Sequence, residues 1–175
     1  MAVEELVAAV AAAVPDCGAR SYELGGPAGI MVEPASVGAV LAHFKNDGGF
    51  DQLIDVTCVD REAGEGTLEV VYNLRRMRDG LRLCVKAALP AADPRVATAS
   101  SLWPAAGWPE REVFDMFGVH FDGHADLRRI LMYEEFEGYP LRKSYDYRRR
   151  QPLVEERDPI HNPWPQRKSA VGPTE

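Results

Sequence analysis

The chain has 175 residues, a hydrophobic fraction of 46% and a net charge of −7. This length predicts one domain with one substantial core, and the acidic balance argues against nucleic acid as a partner, because nucleic-acid binding needs a basic face. Three cysteines without C-x-x-C spacing, Cys17, Cys58 and Cys84, indicate a reducing compartment and are too few for an ordinary four-thiolate iron–sulfur cluster.

The first part of the chain has the pattern helix, two strands, helix. Apolar residues recur at helical spacing up to Pro15, which should end the first helix; they are Val3, Leu6, Val7, Val10 and Val14. This segment begins with acids instead of the basic start of a signal peptide, and no run of 18 apolar residues predicts a membrane span. "ARSYEL" and "GIMVE" predict two strands joined by a glycine-rich turn, and "PASVGAVLAHFKND" predicts a second helix that stops at Gly48.

Three longer strands are predicted next, in the segments "QLIDVTCVD", "TLEVVYNLR" and "LRLCVKAAL". Short turn-forming segments separate them, which predicts hairpins, and the apolar surroundings of Cys58 and Cys84 predict that both are core residues. Strands linked by hairpins, together with helices that can cover one face of their sheet, predict a two-layer α+β domain with a mixed sheet. Short helices and an extended tail are predicted to follow this domain. We assign residues 1–138 to the domain and residues 139–175 to the tail.

Two helices are predicted after the strands. The first lies between Pro109 and Gly118, because proline favours the first helical position and glycine commonly follows the last. Within it, Arg111 and Asp115 are four residues apart and are expected to pair. Its apolar side would consist of Val113, Phe114 and Phe117. A second short helix is predicted from Asp126 as N-cap. Its inward residues would be Leu127, Ile130 and Leu131.

The tail is rich in proline and arginine, and it has two interpretations. One is a disordered terminus, since such a segment cannot bury enough surface to fold alone. The other is an arm that orders against a partner, which its aromatic residues favour; these are Tyr145, Tyr147 and Trp164. Its basic start should then meet an acidic surface. The basic residues are Arg142, Lys143, Arg148, Arg149 and Arg150.

The stretch "EREVFDMFGVHFDGHADLRRIL" concentrates the charged and aromatic residues of the chain. His120 and His124 would suit a metal pair if they shared a helix, but Gly118 and Gly123 disfavour a helix there. The three acids Glu110, Glu112 and Asp115 have two interpretations. They form an acid–base set, or they neutralise the three arginines Arg111, Arg128 and Arg129. The second is favoured, because nearby arginines lower the pKa of a carboxylate and spoil a general acid.

No nucleotide-binding loop and no G-x-S-x-G motif occurs in the sequence. Charges packed among aromatics must be paired when they are buried, and arginine and aromatic residues are enriched at interface hot spots. The stretch therefore predicts an interaction site instead of a catalytic one.

The same stretch, followed by "FEGYPLRKSY", resembles the signature of the C subunit of the respiratory NADH:quinone oxidoreductase, complex I. The order of the upstream elements is also similar to that family, so the resemblance covers most of residues 1–150. By position, the signature residues are Glu110, Arg111, Glu112, Asp115, Phe117, Gly118, Phe121, Gly123, His124, Asp126, Leu127, Arg128 and Arg129. The chain departs from the pattern at Ala125, where the family usually has proline.

The resemblance implies a structural protein that docks on the large quinone-site component of the complex, its D subunit, beside other peripheral-arm subunits. It implies no flavin, cluster or metal in this chain, while the whole complex binds NADH, flavin, iron–sulfur clusters and quinone. It also implies a peripheral location on the cytoplasmic face of the bacterial inner membrane, with membrane contact only through the proton-translocating complex.

Two alternatives stay open. The equivalent subunit of a membrane-bound hydrogenase or related dehydrogenase shares the signature. A stand-alone hydrolase that uses Glu110, Glu112 and Asp115 is the alternative from another class.

Overall fold

The computed structural model describes residues 3–22, 28–61 and 66–152. These residues form three helices and seven strands. In chain order they are α1 (Val3–Ala13), β1 (Arg20–Tyr22), β2 (Ala28–Val32), α2 (Val37–Asn46), β3 (Gln52–Arg61), β4 (Thr67–Arg75), β5 (Arg82–Pro90), β6 (Arg95–Ala97), α3 (Gly107–Phe117) and β7 (His120–Asp122). Two 3₁₀ turns precede α2 and α3, at Pro34–Ser36 and Pro104–Ala106.

Five strands form one mixed sheet in the order β1-β2-β5-β4-β3. The hairpins β1–β2, β3–β4 and β4–β5 are antiparallel, whereas β2 and β5 are parallel. A parallel pair needs a long crossover, and here the chain between the two strands contains α2 and the β3–β4 hairpin. The predicted α+β class and the mixed sheet are therefore confirmed.

The two faces of the sheet have different surroundings. Alternate residues of β4, such as Val70 and Tyr72, are fully buried on the inner face and join one core cluster with residues of all three helices. Val71 and Cys84 lie on the opposite, outer face, and although both are buried they are not part of that cluster. The helices therefore cover one face of the sheet, as a two-layer domain requires. All three cysteines are buried free thiols.

Helix α3 begins at Gly107, two residues before the predicted start at Pro109. The 3₁₀ turn that Pro104 opens continues directly into the helix, because Ala106 already has helical backbone angles. The predicted end is confirmed: Gly118 has φ of +72° and its N–H donates to the Phe114 carbonyl at 2.8 Å. This left-handed conformation favours glycine.

The predicted helix from Asp126 is wrong. Residues 123–152, here called the C-terminal loop, contain neither helix nor strand. The backbone N–H groups of residues 130–132 donate to the carboxylate of Asp115, so they are not available for helical hydrogen bonds. The sequence prediction also lacked β6 and β7, which pair in parallel as a separate two-stranded sheet.

Candidate functional site

Helix α3 carries two acids that are completely buried, Glu110 near its start and Asp115 near its end. A buried carboxylate is costly unless hydrogen bonds or a cation satisfy it, so the partners of each acid define its role. The two acids have different partners.

Asp115 fixes the start of the C-terminal loop. One carboxylate oxygen accepts the backbone N–H groups of Ile130, Leu131 and Met132 at 3.0, 2.7 and 2.8 Å. The other oxygen accepts the Arg129 guanidinium at 2.6 Å. We call these groups the Asp115 cluster. Burial acts to raise the pKa of Asp115, but the three amides and Arg129 outweigh it and hold the pKa below its ordinary value.

Arg129 extends the cluster along the loop. Its guanidinium donates to the carbonyl groups of Phe136 at 3.0 Å and Gly138 at 3.1 Å, and it lies 5.7 Å from the ring centroids of Phe136 and Tyr139. One arginine therefore joins the helix to two distant points of the loop. The ion pair with Asp115 agrees with the prediction that an acid of the helix neutralises Arg129.

Arg111 does not pair with Asp115, so the predicted four-residue ion pair is wrong. Its guanidinium donates to the carbonyls of Arg128 and Arg129 at 3.1 and 3.0 Å and lies 5.5 Å from the ring centroid of the exposed Trp108. Groups of the loop already bind both oxygens of Asp115. Arg111 therefore donates to backbone carbonyls of the loop instead. Arg128 instead pairs with the exposed Asp126 at 3.0 Å.

Glu110 has neutral partners. Its carboxylate accepts the Thr98 hydroxyl at 2.5 Å and the Ala99 N–H at 2.6 Å. Burial raises the pKa of Glu110, and the hydrogen bonds from Thr98 and Ala99 only partly oppose the rise. The expectation that an arginine neutralises this acid is therefore wrong for Glu110.

His124 lies beside Glu110, with Nε2 4.0 Å from the carboxylate. Its Nδ1 accepts the Asp126 N–H at 3.0 Å, and its Nε2 is 3.1 Å from the Gly107 carbonyl. These partners assign the neutral imidazole with the proton on Nε2, since a carbonyl can only accept and the N–H of Asp126 can only donate. His124 thus ties the loop after β7 to the first turn of α3.

The remaining signature residues divide between the core and the surface. Phe117 and Phe121 are buried, Leu127 packs against the core, and Glu112 is exposed. Because Glu110, Glu112 and Asp115 face three different environments, the geometry argues against a shared acid–base set. Gly123 has φ of +86°, another position that favours glycine.

The described part of the tail contacts the domain. A Cβ at Gly118 would meet the Tyr139 ring at 2.4 Å, so the ring packs directly on the end of α3. Arg142 donates to the carbonyls of Phe117 at 2.5 Å and Ala91 at 3.0 Å, and the N–H of Lys143 donates to Asp60 at 2.8 Å. The rest of the predicted tail, residues 153–175 with Trp164, lies outside the described residues.

The C-terminal loop also displays large apolar side chains to solvent. Leu131 is 57% exposed and Tyr147 is 77% exposed, with Tyr133 and Leu141 also exposed. A loop that is fixed by buried charges yet presents apolar side chains outward is a surface suited to a protein partner.

Sequence reasoning missed Thr98 and Ala99 as partners of Glu110, and it missed the contacts of Arg142. No short-range pattern identifies Thr98, which precedes Glu110 by twelve residues. Among the described residues, no group of three or more His, Cys, Asp or Glu could hold a metal ion. The described helices include none with the length and apolar character to cross a bilayer.

The fold and the site together define a class, a small α+β domain whose charged motif braces an exposed loop. Residues 30–151 match the family model described as "Respiratory-chain NADH dehydrogenase, 30 Kd subunit". This match extends over more than half of the chain, and the protein therefore belongs to that family.

Individual relatives agree with the family. The chain is 42% identical over 133 residues to the C subunit of NADH-quinone oxidoreductase from Erythrobacter litoralis, covering 76% of this chain and 53% of the relative. It is 40% identical over 132 residues to the C/D subunit of the oxidoreductase from Bdellovibrio bacteriovorus, covering 75% of this chain and 23% of that protein. The chain thus spans about half the length of the first relative and about a quarter of the second.

A solved structure supports the fold. The chain is similar to the Nqo5 trypsin-resistant fragment (1–134), with a TM-score of 0.62 and 31% identity over 73% of this chain and 100% of the fragment.

Proposed function

We propose that this chain is a structural and assembly subunit of the quinone-reducing module of a proton-translocating NADH:quinone oxidoreductase. It docks on the large quinone-site component, the D subunit, at the cytoplasmic face of the bacterial inner membrane. It carries no active site and no cofactor of its own. NADH, flavin, iron–sulfur clusters and quinone are bound elsewhere in the complex, and the chain reaches the membrane only through its partners.

The Asp115 cluster carries this proposal. A catalytic carboxylate must be reachable by substrate, whereas Asp115 is fully buried and all of its described partners are groups of the loop and Arg129. Its effect is to hold the backbone that presents Leu131 to solvent. Buried charges used in this way favour binding over chemistry.

Family membership supports the partner. The Bdellovibrio relative is named a C/D subunit, which joins the equivalent of this chain to a D subunit in one name. Two subunits that occur as one named protein in a relative are expected to lie in contact when they are separate chains.

The test is Arg129→Met in the assembled complex. Removing Arg129 leaves the buried Asp115 with an unpaired charge and releases the loop from Phe136 and Gly138. We expect assembly to weaken by roughly 2–5 kcal/mol, with quinone reductase activity falling in proportion to the assembled complex. Complex content and activity are measured together in membranes. The matched control is Arg78→Met, which removes an exposed arginine of the β4–β5 turn, outside the Asp115 cluster.

A second variant protects this test from a simple loss of folding. Leu131→Ser changes an exposed side chain and leaves the Asp115 carboxylate and its hydrogen bonds in place. This variant should fold normally, and its assembly into the complex should still be weaker than that of the wild type.

Full assembly of Arg129→Met with lost turnover would mean that the motif serves chemistry. Flavin or iron–sulfur absorbance in the purified chain would contradict the absence of a cofactor. Co-purification with a flavin-binding NADH subunit separates complex I from the hydrogenase alternative.

A further inference from the structure

The outer face of the five-stranded sheet has an unusual charge for this protein. Side chains of directly paired residues lie on the same face of a sheet, so the pairing register identifies its members. Five described strand residues on this face are cationic and two are acidic, an excess of three positive charges in a chain of net charge −7. The cations are Arg20, Arg61, Arg75, Arg82 and Lys86, and the acids are Asp55 and Glu69.

Among the described residues, one part of this face is internally compensated. Glu69 lies 3.2 Å from Arg61 and 3.6 Å from Lys86, and Lys86 also lies 4.5 Å from the ring centroid of Tyr22. No described acid lies within ion-pair distance of Arg75 or Arg82. Arg20 on the edge strand β1 also has no ion-pair partner among the described acids. The other two uncompensated cations, Arg75 and Arg82, lie together at the end of β4 and the start of β5.

Arg75 and Arg82 lie directly opposite each other on neighbouring antiparallel strands. Like charges in this arrangement repel and destabilise the sheet. The Nε of Arg75 is buried and has no hydrogen-bond partner in the described part of the chain. A buried donor without an acceptor costs free energy, so both observations favour the binding of an anion at this position.

A cavity of about 260 Å³ opens beside the pair. It is lined by Arg82 and by residues of β3, β4 and β5, including Ile54, Asp55 and Asn73. Asp55 shares this cavity but forms no ion pair with Arg82 within the described residues. The site thus combines an unpaired guanidinium, an amide side chain and the exposed apolar Ile54.

We propose that the outer face is a second docking surface, which binds an acidic segment of another subunit with a carboxylate seated between Arg75 and Arg82. The identity of that partner as a subunit of the same complex rests on the proposed function. The surface is on the opposite side of the sheet from the Asp115 cluster, because α3 packs with the inner face. The chain then bridges two neighbours.

A protein partner fits this surface better than a lipid bilayer. Four of the five cations are arginines, whose planar guanidinium matches a carboxylate in two hydrogen bonds. Acids are interspersed with the cations, and a uniformly anionic membrane surface would repel Asp55. A protein segment can place charges of both signs opposite this pattern.

The experiment reverses one charge in the assembled complex. Arg82→Glu is compared with Arg78→Glu, which makes the same change at an exposed arginine of the β4–β5 turn, outside the sheet. After a high-salt wash of the membranes, we expect at least a fivefold loss of the Arg82→Glu chain from the complex and no loss of the control. A photo-crosslinking residue at Asn73 should attach to an acidic segment of a neighbouring subunit.

The outcomes separate this inference from the proposed function. If the wild-type chain does not co-purify with a respiratory complex, the proposed function fails. If it does, and Arg82→Glu is retained as well as Arg78→Glu, only the second docking surface is overturned. Sedimentation with vesicles that contain phosphatidylglycerol tests the lipid alternative. Weaker vesicle binding by Arg82→Glu, with normal assembly, also overturns the proposal. Thermal unfolding of the purified variants reports whether either substitution disturbs folding.

Discussion

The two ends of helix α3 each bury one carboxylate, but they stabilise these groups in opposite ways. At the start of the helix, the described partners of Glu110 are a hydroxyl, one backbone amide and a neutral imidazole, and burial raises its pKa. At the end, Asp115 has three amides and an arginine, and its pKa is lowered. Burial alone therefore does not determine the charge of an acid, because the number and charge of its donors decide which protonation state is favoured.

The largest effect is expected for Asp115→Ala. The substitution leaves Arg129 without its carboxylate and three backbone N–H groups without an acceptor, so we expect a loss of about 3–5 kcal/mol in the free energy of unfolding. Urea unfolding measures it. Asp126→Ala, an exposed acid of the same loop, is the control. Equal stability of the two variants would show that the Asp115 cluster does not hold the loop.

A smaller effect is expected for Glu110→Gln. The amide keeps the size of the side chain and an oxygen for the Ala99 N–H, and it removes a charge that no Lys or Arg of the described residues compensates. We expect a change within about 1 kcal/mol at neutral pH, in either direction. Glu110→Ala, which also leaves the Ala99 N–H without its acceptor, should cost about 1–3 kcal/mol and serves as the comparison.

The pH dependence of these variants sharpens the contrast. The raised pKa of Glu110 gives stability that is complete below the ordinary value of 4.5 and is lost as pH rises through the folded pKa. The lowered pKa of Asp115 gives stability that is present above the ordinary value of 3.8 and is lost as pH falls through the folded pKa. Glu110→Gln should therefore flatten the stability profile above pH 4.5, and Asp115→Asn should flatten it on the acid side. Identical profiles would refute the contrast.

The smallest effect is expected for Arg128→Gln. Arg128 pairs with Asp126 at the surface, where water screens both charges, so the free energy of unfolding should fall by less than about 1 kcal/mol. Urea unfolding beside Arg129→Met makes the comparison. A loss as large as that of Arg129→Met would mean that exposure is a poor guide to the role of these two arginines.

Local sequence patterns predicted most of the domain. Hydrophobic periodicity predicted the order helix, two strands, helix, three strands, which the structure has. Glycine at position 118 predicted the end of α3, and in the structure this residue has a positive φ. The outer face was also partly visible in the sequence, since Glu69, Asn73 and Arg75 alternate with buried residues of β4. Its excess of positive charge became apparent only when the strand register placed Arg75 opposite Arg82.

The sequence by itself determined that this chain is an acidic α+β domain with a paired cluster of charges near α3, because periodicity and composition are properties of short segments. The tertiary structure decided which charges pair. By helical spacing the sequence favoured Arg111 as the partner of Asp115, whereas the path of the C-terminal loop selected Arg129. The same path prevented a helix after Asp126, since the amides that such a helix needs donate to Asp115. Hydrogen-bond partners many residues apart depend on where the folded chain places them, and no local pattern records that position.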